Sequence, residues 1–203
     1  EASYNPIIRG GKVVKIVKIA TDITATKRDI IESHGKLTAL SRAQAVIEFT
    51  PEGEILSANE NFLDSLGYVR DEIIGKHHRM FCEPAYVASP DYAEFWPRLA
   101  KGEFFSDEFK RLAKDGSSVF IQATYNPIID DDGKVIKVVK FATDVTGRVR
   151  ALQEVGAGLE RLAECNIRIT IDEPFVPEFD HLRHDFNPVS YTHLRAHETE
   201  ADL

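Results

Sequence analysis

The residues best suited to chemistry sit in the middle of the chain. His77 and His78 follow a helix-stopping Gly75, and an imidazole is a side chain that can ligate haem iron or hydrogen-bond a flavin. The same pair can equally be a helix cap and a core residue. Cys82 stands four residues on, and Cys165 lies far from it with no Cys-x-x-Cys spacing, so free thiols in a reducing compartment are expected. Trp96 is the sole tryptophan and either stacks on a ligand or fills the core. Other clusters carry less. His181-x-x-His184 and the i, i+4 pair His193 and His197 have no carboxylate or thiol arranged around them, and Asp130-Asp131-Asp132 runs into Gly133 as a turn does. No metal site is expected. No phosphate loop, nucleophile elbow or metalloprotease helix occurs, so no enzyme is expected either.

What must position these residues is legible from an internal repeat. Ala2-Ser3-Tyr4-Asn5-Pro6-Ile7-Ile8 recurs as Ala123-Thr124-Tyr125-Asn126-Pro127-Ile128-Ile129. After a turn one residue longer in the second copy, the run Gly11 to Thr24 recurs as Gly133 to Thr146. Each copy reads as a β-hairpin of two β-branched strands. The chain therefore opens in the last hairpin of one module (residues 1–24), passes through a linker helix (25–44), and holds a second module in full (45–146).

Within that second module Ala45 to Thr50 and Ile55-Leu56 are strands, and Asn59 offers an N-cap to a helix that buries Phe62, Leu63 and Leu66. Ser89-Pro90 opens a helix with Tyr92, Phe95, Trp96 and Leu99 on one face, in which Pro97 predicts a break or kink. Three long strands joined by tight turns follow, up to Asp144. In the last of them Ile136, Val138, Val139 and Phe141 put apolar side chains on both faces. The layout is α+β, one antiparallel sheet with short helices on one face.

The set Asn59-x-x-Phe62, Leu66-Gly67-Tyr68, Glu72-x-x-Gly75, Lys114-Asp115-Gly116 and Asp144-Val145-Thr146 resembles a PAS domain, with a five-stranded sheet. Gly75 to Phe81, Phe95-Trp96, Gly102-Glu103-Phe104 and Tyr125-Asn126-Pro127-Ile128 resemble, more narrowly, the PAS modules of bacterial methyl-accepting chemotaxis receptors. The resemblance implies a ligand cavity in which His77, His78, Trp96 and Asn61 are the candidate cofactor-binding residues, with haem or flavin as the cofactors to consider. Two departures weigh against flavin. Aerotaxis receptors that hold it carry Arg-His-Pro where this chain has Cys82-Glu83-Pro84, and light-sensing modules place their adduct-forming cysteine where His78 falls. The resemblance also makes Asp144 and Thr146 the joint between sheet and outgoing helix, a device that Asp22 and Thr24 repeat; an ordinary cap is the alternative.

Residues 147–188 resemble the HAMP-like relay that follows such modules, and Ile23, Ile30 and Leu37 at steps of seven suit a short coiled coil, so a homodimer through the linker helices is expected. Residues 189–203 read as a non-native, adaptor-derived tail. The chain opens at Glu1 and its only methionine is Met80, so we read it as a piece of a longer receptor whose missing signalling domain engages the chemotaxis kinase and coupling protein. A histidine kinase or cyclic-dinucleotide output, or a ligand-free dimerisation module, are the alternatives.

Composition agrees with a folded sensor. Of 203 residues 43% are apolar and 29% charged, which excludes a disordered chain or a disulfide-stapled miniprotein. A net charge of −8 without a basic block argues against nucleic acid as a partner. No apolar run is long enough to span a bilayer and no charged start leads into an apolar signal core, so a cytoplasmic location is expected, with membrane association of the full-length receptor as the alternative.

Overall fold

The computed structural model describes residues 1–163 and 170–188, except for the side chain of residue 162. Cys165 and the tail from 189, with His193 and His197, lie outside the described residues. The chain divides into two units, Glu1–Ala43 and Gln44 onward.

The first unit is a hairpin of β1 (Ala2–Arg9) and β2 (Lys12–Ala20), followed by helix α1 (Thr24–Ala43). Gly10 and Gly11 both have positive φ, which the two-residue turn requires. Nothing in α1 is buried, and Ile30, Leu37 and Leu40 are exposed along it.

The second unit is built on a five-stranded antiparallel sheet in the order β4-β3-β7-β6-β5. Its strands are β3 (Ala45–Phe49), β4 (Ile55–Ala58), β5 (Phe105–Leu112), β6 (Ser118–Ile129) and β7 (Val135–Asp144). Between β4 and β5 run α2 (Glu60–Leu66), α3 (Arg70–Ile73), a 3-10 turn over His78–Phe81, α4 (Pro84–Val87) and α5 (Pro90–Ala100). Asn59 is the hinge pin of this arrangement. Its Oδ1 accepts from Phe62 N at 3.0 Å as an N-cap and from Val46 N at 2.9 Å, and its Nδ2 donates to Gln44 O at 2.8 Å, so one side chain fastens α2 to β3. The helices place Phe62, Leu66, Ile73, Phe81, Phe95, Trp96 and Leu99 against Ile47, Phe49, Ile121, Tyr125 and Val138 of the sheet.

Two local expectations are corrected. Helix α5 runs through Pro97 to Ala100 without a break, because burial of Phe95, Trp96 and Leu99 on its inner face outweighs the one intrahelical bond proline forfeits. In β7 the fully inward residues are Val138, Lys140 and Ala142, while Val139 and Phe141 are half-buried on the other face and Ile136 is exposed. Strand alternation thus carries a lysine into the core.

The repeated sequences form the same structure twice. Tyr4 lies opposite Lys18 in the first hairpin as Tyr125 lies opposite Lys140 in the second, and both carry a register shift at the equivalent step, Ile7/Ile8 and Ile128/Ile129. Lys18 Nζ stands 5.4 Å from the Tyr4 ring centre, and Lys140 Nζ 5.0 Å from that of Tyr125.

Beyond the sheet, α6 (Thr146–Ala163) leads outward. Residues 170–188 return against it and end in a helix over 180–188, where the sequence alone does not signal a second helix. Phe186, Ile171, Val155 and Phe175 form a small second core, and Asn187 brackets Ile171 by accepting from its N–H at 3.0 Å and donating to its carbonyl at 3.1 Å.

Candidate functional site

The two adjacent histidines have separate roles, set by which way the 3-10 turn points each. His77 is the N-cap of that turn. Its Nδ1 accepts from Arg79 N at 3.2 Å, and its Nε2 meets Glu52 O at 2.9 Å. His78 points inward and is completely buried. Its Nε2 is 3.0 Å from the Tyr125 hydroxyl and its Nδ1 3.3 Å from that of Tyr92, and its ring packs on Phe95 and edge-on to Phe49 and Trp96. Burial, then the cations of Arg111 and Lys140, hold the His78 imidazole well below its usual pKa of 6.5, so it is neutral.

Sequence reasoning missed the partners that give this interior its character. Tyr125 stands at the centre of β6, fully buried, and accepts from Arg111 Nη2 at 3.2 Å. Arg111, on β5, is itself buried; it lies 4.7 Å from the Phe109 ring and 5.7 Å from that of Tyr86, and its Nη1 donates to Lys110 O. Lys140 lies over Tyr125 and, at 5.6 Å, over Phe62. Burial, reinforced by Arg111, pushes the Lys140 ammonium well below its ordinary pKa. Burial pushes both Tyr92 and Tyr125 up to about 12, and it also raises the Cys82 thiol, whose Sγ is 3.7 Å from His78 Nδ1. A thiol held protonated in this way is a packing group and a poor nucleophile.

Trp96 closes the interior from α5. A side chain at Gly53 would place its Cβ 2.5 Å from the indole, so the ring seals against backbone there. The indole Nε1 is buried without a hydrogen-bond partner, as is Arg111 Nε. His78 and Trp96 therefore meet, at 5.4 Å between ring centres, and His77 reaches the indole at 6.0 Å. Asn61 does not join them; its Nδ2 donates to Gln44 O at 3.2 Å beside the start of β3. Neither histidine fits a haem or flavin in this arrangement, because both ring nitrogens of each are engaged and aromatic side chains fill the space around His78. Away from the interior, His184 pairs with Asp180 at 3.2 Å, Asp130 receives the N–H groups of its own turn, and no metal-binding group occurs among the described residues.

At the output end, Asp144 Oδ1 accepts from Thr146 N at 2.8 Å, while Thr146 Oγ1 accepts from Phe120 N at 2.9 Å and donates to Phe120 O at 3.4 Å. This ties the first turn of α6 to β6, the strand that carries Tyr125. The first hairpin repeats the Asx bond, with Asp22 Oδ1 accepting from Thr24 N at 2.9 Å.

Short helices packed on one face of a five-stranded antiparallel sheet in the order β4-β3-β7-β6-β5 make a PAS fold, and residues 55–142 of the chain match the family model described as the PAS fold. Over 154 residues it is 48% identical to the biofilm dispersion protein BdlA of Pseudomonas aeruginosa, which covers 75% of this chain and 37% of that protein. It is 29% identical over 92 residues to the aerotaxis receptor of Escherichia coli, covering 45% of this chain and 18% of the receptor. The chain thus spans well under half the length of either relative. A solved PAS domain from Colwellia psychrerythraea superposes with a TM-score of 0.49 at 19% identity, covering 58% of this chain and 98% of that one. Among the described residues no helix is long and apolar enough to cross a membrane.

Proposed function

We propose that this chain is the sensory input segment of a cytoplasmic chemotaxis-type transducer, in which the state of the PAS interior is relayed through the Asp144–Thr146 joint to α6 and a HAMP-like relay. The observation that carries the reading is the double engagement of Phe120 by Thr146, since it gives the strand bearing Tyr125 a direct hold on the outgoing helix. Similarity to the biofilm dispersion protein and the aerotaxis receptor supports the chemotaxis setting. The duplicated hairpin, with its matching Tyr–Lys pair and bulge, supports a preceding PAS domain to which β1 and β2 belong. The exposed Ile30, Leu37 and Leu40 of α1 support pairing of two copies through the linkers, against which a helix rotation is read. A signalling domain outside these 203 residues then engages the chemotaxis kinase and coupling protein.

The test is Thr146→Val in the full chain, followed by amide hydrogen exchange. Exchange over residues 146–150 is expected to accelerate while that of β3 and β7 holds, and a transducer carrying the substitution is expected to lose its stimulus response. Unchanged exchange in the first turn of α6, or a normal response, refutes the joint.

A further inference from the structure

Among the described residues, His78, Arg111 and Lys140 are the buried polar or charged side chains, and no buried carboxylate stands with the two basic ones. A guanidinium cannot shed its proton to escape the cost of burial, so Arg111 is a permanent cation held at 2% exposure without an anion. Its Nη1 and Nη2 are used on Lys110 O and Tyr125, but Nε is an unpartnered donor. Beside it an open groove of about 650 Å³ runs between β5 and the α4–α5 side, walled by Arg111, Tyr86, Phe95, Phe105 and Phe109.

We propose that this groove is a binding site for a small apolar monocarboxylate, whose carboxylate meets Arg111 and whose body lies on the four aromatic rings. The wall chemistry sets the class. Arg111 supplies the only charge in the groove that is buried, and a carboxylate accepting from a desolvated guanidinium gains a bond about twice as strong as a neutral one. The remaining lining excludes more highly charged ligands. Glu83, Asp91, Glu94, Asp107 and Glu108 all line the groove, against Arg98 and Lys110, and those two cations are engaged by Glu103 and Glu83 at 2.7 Å each. A phosphate monoester or dicarboxylate meets that excess of negative charge, whereas a single carboxylate can be spent wholly on Arg111. Because Arg111 holds Tyr125, which holds His78, ligand binding at the groove acts on the strand that Thr146 grips. The site names the ligand class of the proposed sensor, and it rests on that reading only for its consequence at α6.

Phenylacetate, with phenylacetamide as the neutral isostere and phenyl phosphate as the dianion, tests the site in the full chain by titration calorimetry and by the emission of Trp96, which packs on Phe95. Phenylacetate is expected to bind at least about tenfold more tightly than either relative, and Arg111→Gln to remove that preference. Arg111→Lys, which keeps a cation but loses Nε, is expected to lose about tenfold in affinity, and it reads the same site should the glutamine variant not fold. Equal affinity for acid and amide, full affinity in Arg111→Lys, or no binding of phenylacetate at about 10 mM overturns the site. If phenylacetate binds in this manner yet leaves exchange in α6 unchanged, the site stands and the sensory reading fails.

Discussion

Lys140→Met is the most informative single perturbation of this fold. The lysine is 1% exposed, lies over two aromatic rings, and has no buried carboxylate near it among the described residues. Burial, then Arg111, pushes its pKa well below 10.5, and each unit of that displacement lying above the working pH costs the fold about 1.4 kcal/mol. Methionine fills a similar volume without a group that must give up its proton on folding, so a net gain of roughly 1–3 kcal/mol is expected at pH 7. The pH dependence isolates the cause. Below 10.5 the unfolded chain's lysine holds a proton that the buried amine sheds, so the unfolded state binds more protons and native stability rises with pH, by up to about 1.4 kcal/mol per unit. Urea denaturation between pH 7 and 9 should therefore show a steeper rise for the native sequence than for Lys140→Met. That window avoids Tyr125, whose displacement from 10 to about 12 lowers stability only at higher pH. A destabilised methionine variant, or equal slopes in the two proteins, refutes the argument.

Three further outcomes are expected. The neutral, buried His78 should make stability fall as pH drops from 6.5 towards 5, because the unfolded imidazole takes up a proton that the native one refuses; His78→Phe should flatten that part of the curve in urea titrations, at a cost of about 1–3 kcal/mol for the tyrosine hydroxyls left short of a partner. Gly53→Ala combines a φ of +95° with a Cβ 2.5 Å from Trp96, and should cost roughly 2–5 kcal/mol and shift the tryptophan emission to the red. Asn59→Ala removes two accepted bonds and one donated bond and should cost about 2–3 kcal/mol by thermal denaturation, with exchange rising in both α2 and β3.

The Asn59 cap is legible in the sequence because capping acts over three residues, and the hairpins are legible because strands and turns are local. The charged interior is not. Lys140 and Arg111 stand in strands with other lysines and charged residues nearby, and Val139 with Phe141 looks the better inner face than Val138, Lys140 and Ala142. Alternation says only that two faces exist; which one meets the helices is decided by packing across the whole sheet. One signal was present in the repeat. Tyr4 faces Lys18 and Tyr125 faces Lys140, so the repeat marks a Tyr–Lys pair, which is exposed in the first hairpin and buried in the second. His77 and His78 were equivalent by spacing, and only the path of the 3-10 turn separates a cap from a core residue.

Strand β6 joins the interior to the exit. Tyr125 and Phe120 are five residues apart on it, about 17 Å at the rise of an antiparallel strand, and paired strands flank it on both sides along most of that length. In the proposed relay, this two-sided bonding lets β6 carry a displacement at Tyr125 to Phe120 as a rigid piece. There it meets the two bonds from Thr146 and, one step on, the Asp144 cap. At about 1 kcal/mol each, making or breaking those three bonds is worth about 3 kcal/mol, the upper end of what couples two sites in a signalling protein. On that proposal, a weaker joint would leave α6 indifferent to the interior, and a much stronger one would lock it in a single position.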